Sequence, residues 1–246
     1  MIQLPVITGT LERRILLNYT IDPQYLEKFL PPRFKPRLYK GVGVGGICMI
    51  RFSNLRPQYA PSFFGIDSEN AAHRIAVEWE SKDQKHEGVF IPKRNTASQF
   101  NYWAGGRIFP GIFQKSQFKV HEENGIYSVK ICQDGKDIVS FEGRVSDVFP
   151  KDSVFANLEE ASNFFAKGSV GYSLSKDQTY FQGMELRLLD WSIRPLEILS
   201  ASVDLYENES IFPKGAVRLD SAMLMENLRH EWHKIPNLSS ASNRME

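Results

Sequence analysis

Strand-like segments follow one another along most of this chain, with no long helix between them. Residues 113–122, 125–133 and 137–146 are separated by the turn signals Asn124-Gly125 and Asp134-Gly135 at hairpin spacing. Parallel strands need long crossover connections, so this pattern favours an antiparallel sheet. It predicts a barrel or a strongly curved sheet. Further strand-like segments are 13–20, 39–52, 73–81, 88–92, 186–193, 200–206 and 216–224.

Three short helices are predicted from capping residues and helix breakers. Asp22 can cap a helix that begins at Pro23, since proline is tolerated in the first turn. Asn157, with Glu160 three residues on, marks the start of the clearest helix. The predicted helical segments are 23–30, 157–167 and a short stretch within 96–108 that ends at Gly105-Gly106. The fold class is therefore α+β, mostly β.

The chain is expected to form one domain over residues 1–236, because no break in composition divides it. Residues 53–70 are rich in proline, serine and asparagine, which is typical of a surface loop, and are expected to cover the domain. Residues 237–246 are rich in serine and asparagine and are predicted to be a disordered tail.

Charge and hydropathy limit the classes of partner. With 30 Lys and Arg against 29 Asp and Glu, the net charge of +1 provides no field to attract nucleic acid or an anionic membrane. No apolar run approaches the roughly 18 residues of a membrane span, and Met1–Thr10 lacks the pattern of a signal peptide. We expect a cytoplasmic protein whose partner is a small molecule. A homo-oligomer is left open.

Metal and redox chemistry have little support in the sequence. Cys48 and Cys132 lie in apolar segments without a CxxC pattern and are expected to be reduced core thiols. His230 and His233 lack a third ligand nearby, so no metal site is predicted and this segment is expected at the surface. The glycines of 41–46 are a weak nucleotide signal because no suitable helix follows.

The segment Pro92-Lys93-Arg94 carries the most suggestive chemistry, because a lysine ends an apolar strand beside a second cation. If extended geometry persists through Pro92, Lys93 shares a face with Val89 and Ile91 and points inward with them. Burial and a neighbouring cation both lower a lysine pKa from its usual ~10.4, and a neutral amine can attack a ketone. The alternative is an ordinary solvated turn lysine.

These residues resemble a known superfamily. Pro-Lys-Arg at 92–94 is similar to the Pro-Lys-Lys of acetoacetate decarboxylase, and RRILLNYTIDPQYLEKFLPPRF at 13–34 resembles that superfamily's first strand and helix. A closer resemblance, to its uncharacterised YqjF-like branch, lies in GVFIPKRNTASQFNYWAGGRIFPG at 88–111 and FPKGAVRLDSAMLMENLRHEW at 212–232. The resemblance implies a central β-barrel or cone of curved antiparallel sheet around a pocket. Members of that branch often carry arginine in place of Lys93, and arginine cannot form an imine.

The resemblance also implies further site residues. The decarboxylases use an arginine near the first strand, and the nearest match in this chain is Arg13 or Arg14. They also use a pair of glutamates that line the pocket, and the nearest match here is Glu78 or Glu80. Arg107 could hold a carboxylate through its bidentate donors, or instead pair with one of these glutamates. The aromatic side chains of Phe100, Tyr102 and Trp103 are expected in the core.

Two functions remain open. In the first, a lyase, Lys93 forms an imine with a keto acid, Arg94 lowers the lysine pKa, and Arg107, Arg13 or Arg14 holds the carboxylate; no metal or organic cofactor is required. That mechanism is the one established for acetoacetate decarboxylase. In the second, the pocket is a non-catalytic binding module for a small apolar or acidic ligand.

Overall fold

The computed structural model describes residues 5–81 and 83–240, which form fifteen strands and four short helices. The helices are α1 (Pro23–Phe29), α2 (Gln99–Ala104), α3 (Leu158–Ala166) and α4 (Asp204–Glu207). The strands are β1 (Ile7–Ile21), β2 (Lys35–Pro36), β3 (Leu38–Tyr39), β4 (Val42–Pro57), β5 (Ile66–Ser81), β6 (Gln84–Phe90), β7 (Arg94–Thr96), β8 (Phe113–Lys115), β9 (Gln117–Glu123), β10 (Ile126–Gln133), β11 (Lys136–Val145), β12 (Val170–Leu174), β13 (Tyr180–Leu188), β14 (Arg194–Val203) and β15 (Val217–Ser239). None of the helices in this part of the chain could cross a membrane.

Seven strands close into a barrel. Their hydrogen-bonded order is β1-β4-β5-β6-β12-β13-β15, and β15 pairs back with β1. All neighbours are antiparallel except β6 and β12, which are parallel. Closure leaves these seven strands without a free edge. The predicted fold class, a mostly β α+β fold with a central barrel of curved sheet, is confirmed.

A second layer of sheet packs on the outside of the barrel. The first part of β15 pairs with β14, from which β11, β10 and β9 continue, while its last part pairs with β13. Outward side chains of the barrel, such as Ile15, Ile47 and Ile75, share one apolar core with Val129 and Phe141 of this layer. Alternate residues of the same strands, such as Leu16 and Cys48, form a second core inside the barrel.

The predicted local signals act as expected. Asn157 accepts a hydrogen bond from the Glu160 amide at 2.9 Å and begins α3. The two-residue turns Asn124-Gly125 and Asp134-Gly135 have positive φ at both positions, as a type I′ hairpin requires. These turns fix the β9-β10-β11 meander, so the predictions made from them are confirmed.

The expected loop at 53–70 is instead a hairpin. Strand β4 continues to Pro57 and β5 begins at Ile66, with a 3-10 turn at Ser62–Phe64 between them. The pairing of β4 with β5 contains a bulge at Asn54. Asn54 takes the positive φ of +54° that the bulge needs, and its backbone amide donates to Asp67 Oδ1 at 2.8 Å.

Part of the segment that was predicted to be a disordered tail is strand instead. Strand β15 pairs with β13 as far as Ser239, which lies opposite Tyr180, so residues 237–239 belong to the barrel. Residues 241–246 lie outside the described part of the chain.

Gly46 marks a close approach of β4 to β1. A Cβ atom at this position would lie 2.2 Å from the Leu17 carbonyl oxygen, which is backbone and cannot move aside alone. We expect Gly46→Ala to lower the free energy of unfolding by about 1–3 kcal/mol, measured by chemical denaturation. Gly168→Ala, whose Cβ would meet nothing closer than 3.3 Å, serves as control and should cost less. Equal midpoints for both variants would contradict this packing.

Two buried histidines make stability depend on pH. Burial, with the charge of Lys93, lowers the pKa of His73 to about 3; burial, with the charge of Arg14, lowers that of His230 to about 4. Unfolded histidine titrates near ~6.5, so below this pH the unfolded chain binds more protons. The contribution of the two histidines to the free energy of unfolding is therefore fully present above pH ~6.5. It falls by about 1 kcal/mol per pH unit for each histidine as the pH drops toward the pKa values of the folded protein.

This pH dependence can be measured by denaturant unfolding at pH 7 and pH 5. The wild type should lose stability at pH 5, and His73→Phe should lose less. His121, which is exposed, provides the control His121→Gln, which should behave as the wild type. A wild type equally stable at both pH values would contradict the buried neutral histidines.

Candidate functional site

The barrel encloses a cavity of about 90 Å³ to which every one of its strands contributes. That volume corresponds to about six water-sized positions, enough for a small organic acid. The lining includes, in barrel order, Arg14, Cys48, Arg74, Val89, Gly171, Leu186 and Trp232. The cavity is therefore the interior of the barrel and not a groove on its surface.

A wider space of about 510 Å³ adjoins the cavity between the end of α3 and β13. Phe165 and Trp191 line this outer space, and Arg14, Gly168 and Leu186 line both spaces. Arg14 thus lies where a molecule would pass from the outer space into the barrel.

Three arginines, Arg14, Arg74 and Arg94, line the cavity. Over the described ranges, no aspartate or glutamate lines it, and none of the three arginines forms an ion pair. Arg74 and Arg94 are buried. The cavity therefore concentrates positive charge without a carboxylate to balance it.

The partners of these arginines are neutral or sulfur atoms. Arg74 Nε donates to Cys48 Sγ at 3.1 Å, and the Arg74 guanidinium lies 4.6 Å from the Phe165 ring centroid. Arg14 Nη2 approaches the same sulfur at 3.6 Å. Arg94 Nε donates to Ser173 Oγ at 3.3 Å. The guanidiniums are thus held in place while retaining donors for an anion.

These surroundings shift two pKa values. Burial lowers the pKa of Arg94 to about 10, although the charge of Cys48 opposes the shift. Burial alone would raise the pKa of Cys48, but the charges of Arg14 and Arg74 and their hydrogen bonds outweigh it and lower that pKa. The two arginines therefore shift the Cys48 thiol toward its thiolate form.

A β-bulge determines that Arg94, and not Lys93, points into the cavity. Ile75 pairs with Phe90 and Ala72 pairs with Arg94, so three residues of one strand, 91–93, lie opposite two of the other. One extra residue reverses the alternation of side chains. The extended geometry that would keep Lys93 on the face of Val89 and Ile91 does not persist.

Lys93 lies on the outer side of the barrel, half-buried. Burial lowers its pKa, Asp204 opposes the shift, and Lys136 adds to it. Its charge in turn acts on His73, which faces the outer core. Lys93 does not line the cavity.

Four other predicted site residues also lie away from the cavity. Arg13 is buried on the opposite face of β1 from Arg14 and pairs with Glu69 at 2.5 Å and Glu122 at 2.6 Å. Arg107 is exposed, with its guanidinium 5.0 Å from the Trp103 ring centroid. Glu78 pairs with Lys85 at 2.7 Å, and Glu80 is exposed. Of the predicted residues, the structure brings Arg14 and Arg94 together.

Two predictions about aromatic and histidine side chains were wrong. Phe100, Tyr102 and Trp103 are exposed, because α2 turns Asn101 and Ala104 inward instead. His230 is fully buried, whereas His233 pairs with Glu231 at 2.7 Å. Within the described residues no cluster of three metal-ligating side chains occurs.

Arg74 and Cys48 were not predicted as site residues. In the sequence, Arg74 lies on the same strand face as Glu78 and Glu80, and this charged face is expected to point to solvent. Its neighbours on that face are Ala72 and Ala76, and small residues at i−2 and i+2 leave room for a long side chain inside a barrel. This spacing was the available signal.

Asn101 adds an unpaired acceptor. Asn70 Nδ2 donates to the Ser68 carbonyl at 3.0 Å, so Asn70 Oδ1 must accept, and it accepts from Asn101 Nδ2 at 3.1 Å. This leaves Asn101 Oδ1 buried without a partner among the described residues. Both asparagines line the cavity, so a ligand hydroxyl or N–H could donate to this oxygen.

Comparison with solved structures identifies the class of fold. The acetoacetate decarboxylase of Legionella pneumophila superimposes with a TM-score of 0.63 at 11% identity, over 96% of this chain and 88% of that one. An acetoacetate decarboxylase-like enzyme of Sphingomonas wittichii gives 0.61 at 11% identity, over 97% and 94%. The enduracididine biosynthesis enzyme MppR, in complex with the condensation product of pyruvate and imidazole 4-carboxaldehyde, gives 0.59 at 11%, over 98% and 92%. The chain has the acetoacetate decarboxylase-like fold.

Residues 8–222 match the model of the family DUF2071, described as an uncharacterized conserved protein, and the chain belongs to this family. No curated protein matches the chain. The resemblance to the YqjF-like branch of the superfamily is thereby confirmed.

Proposed function

We propose that this protein binds a small carboxylate-bearing molecule inside the barrel, with Arg14, Arg74 and Arg94 as its anion site. The observation that carries the proposal is the presence of three cavity arginines without a lining carboxylate. Among the described residues, buried Arg94 has only the neutral Ser173 hydroxyl as its hydrogen-bond partner. Because a buried charge without an ionic partner costs several kcal/mol, an anionic ligand would offset this cost. Guanidinium groups are also well suited to bidentate pairing with a carboxylate.

The rest of the lining defines the body of the ligand. Ile50, Phe52 and Leu186 provide apolar wall, which suits a short carbon chain. Asn101 Oδ1 provides one acceptor for a hydroxyl or N–H group. The ligand class is therefore a short organic acid, with a polar substituent as an optional feature.

The similar structures support an acid of this size. MppR has been solved in complex with pyruvate, with a TM-score of 0.58 and 10% identity to this chain. Pyruvate is a small 2-oxo acid, so a member of the same fold class binds a ligand of the chemistry that we propose here.

An imine-forming lyase is the second candidate. Its support is the lowered pKa of Lys93. Borohydride reduction in the presence of acetoacetate, followed by intact mass, tests it directly. An adduct that disappears in Lys93→Arg would show an imine at Lys93 and support the lyase, and absence of any adduct would eliminate it.

Isothermal titration with matched acid and amide pairs tests the proposed function. Pyruvate and 4-methyl-2-oxopentanoate are compared with their amides, which have almost the same shape without the charge. We expect the acids to bind at least about 10-fold more tightly, since a hydrogen bond to a charged group contributes roughly 1.5–3 kcal/mol. Equal affinity for acid and amide, or no binding across the short acids, would overturn the proposal.

A further inference from the structure

We infer that Cys48 is a nucleophile toward small carboxylate-bearing molecules that also contain an electrophilic carbon. An example is the β-carbon of a short α,β-unsaturated acid. The inference rests on the proposed function, because the cavity arginines must first bind the carboxylate. It adds a covalent step to what would otherwise be binding alone.

The position of Cys48 supports this role. It lies near the middle of β4, paired with Leu16 on one side and Ala72 on the other, and its side chain lines the cavity. Its sulfur accepts from Arg74 Nε at 3.1 Å and from Arg14 Nη2 at 3.6 Å. Two cations at hydrogen-bond range stabilise a thiolate, and the thiolate is the nucleophilic form of cysteine. The lowered pKa of Cys48 agrees with this geometry.

Separate groups remain for the ligand itself. Arg94 is buried and uses Nε toward Ser173, so the remaining nitrogens of its guanidinium can take a carboxylate. Asn101, also buried, has an unpaired Oδ1 on the same cavity, as far as the described residues show. The cavity thus offers three separate groups: the Arg94 guanidinium of β7 as a carboxylate site, the Asn101 oxygen of α2 as an acceptor, and the Cys48 sulfur of β4 as a nucleophile.

The reaction balances without an oxidant or a cofactor. The thiolate adds to the β-carbon of an unsaturated acid, so an S–C bond forms as the carbon–carbon π bond breaks. The α-carbon then takes a proton from water. Negative charge that develops on the carboxylate side during the attack is stabilised by guanidinium groups already in place.

Alkylation with iodoacetate and iodoacetamide tests the inference on the whole protein. In each case the sulfur displaces iodide, so an S–C bond forms and the C–I bond breaks; only iodoacetate carries the carboxylate. We expect Cys48 to react at least about 10-fold faster with iodoacetate than with iodoacetamide, measured by peptide mass spectrometry. Cys132, which is more exposed and has no cationic hydrogen-bond donor among the described residues, is the internal control and should not prefer iodoacetate.

Variants and ligands make the test selective. Arg94→Met should remove the preference for iodoacetate at Cys48, and pyruvate should protect Cys48 but not Cys132. The rate at Cys48 should also persist to lower pH than the rate of an ordinary free thiol, whose pKa is about 8.5. Circular dichroism checks that the variant is folded.

The outcomes separate this inference from the proposed function. If acids bind by calorimetry while Cys48 is unreactive or prefers iodoacetamide, the nucleophile is overturned and the anion site stands. If no acid binds and none protects Cys48, the anion site is overturned as well.

Discussion

Arg94→Met is expected to weaken the binding of small carboxylates by about 10- to 100-fold. The variant removes a buried guanidinium whose hydrogen bonds to a charged ligand contribute roughly 1.5–3 kcal/mol, and each 1.4 kcal/mol is a factor of ten. Methionine fills much of the same space, so the apolar walls should keep their shape. Isothermal titration with the tightest acid of the wild type measures the effect.

Two control variants make this result specific. Arg107→Met removes an exposed arginine that lies outside the cavity, and Lys93→Met removes the neighbouring cation on the outer side of the barrel. Both should retain the affinity of the wild type. Arg94→Met should also melt no lower than the wild type, because it removes a buried charge that has no carboxylate partner. Unchanged affinity in Arg94→Met, or loss in Lys93→Met, would contradict the assignment of the site.

Arg94→Lys is expected to create an imine-forming site where the wild type has none. The bulge at residues 91–93 directs position 94 into the barrel, where burial and the charges of Arg14 and Arg74 should lower the pKa of a lysine. Its neutral amine can attack the ketone of pyruvate and lose water to form an imine, which borohydride reduces to a stable amine. Intact mass should therefore show a covalent adduct that depends on both pyruvate and borohydride.

The control is the double variant Lys93→Met with Arg94→Lys, which should form the same adduct. An adduct in the wild type that is lost in Lys93→Met would contradict this account and support the lysine lyase. No adduct in a folded Arg94→Lys that still binds pyruvate would show that position 94 does not present its side chain to the ligand.

Much of the fold was predictable because its signals are local. The Asn157 cap and the Asn124-Gly125 and Asp134-Gly135 turns each act within a few residues, so helix α3 and the meander follow from the sequence. The central barrel was predicted from the resemblance of residues 88–111 and 212–232 to the YqjF-like branch of the acetoacetate decarboxylase superfamily.

The candidate site was predictable only in part because its geometry depends on distant pairing. The bulge at 91–93 arises because β6 and β7 both pair with β5, but in registers one residue apart. The residues Pro92-Lys93-Arg94 themselves contain no signal that predicts this one-residue offset in register. The choice between Arg13 and Arg14 likewise depends on Glu69 and Glu122, which lie far along the chain and pair with Arg13 on the outer face.

The central claim is that the inside of the barrel holds a carboxylate. A crystal structure of the protein with pyruvate, or with the tightest acid from the titrations, tests it most directly. We predict the carboxylate of the acid within hydrogen-bond distance of the Arg94 guanidinium, near Arg14 and Arg74 in the same cavity. Density for the acid beside Lys93 on the outer side of the barrel, with the cavity unchanged, would contradict it.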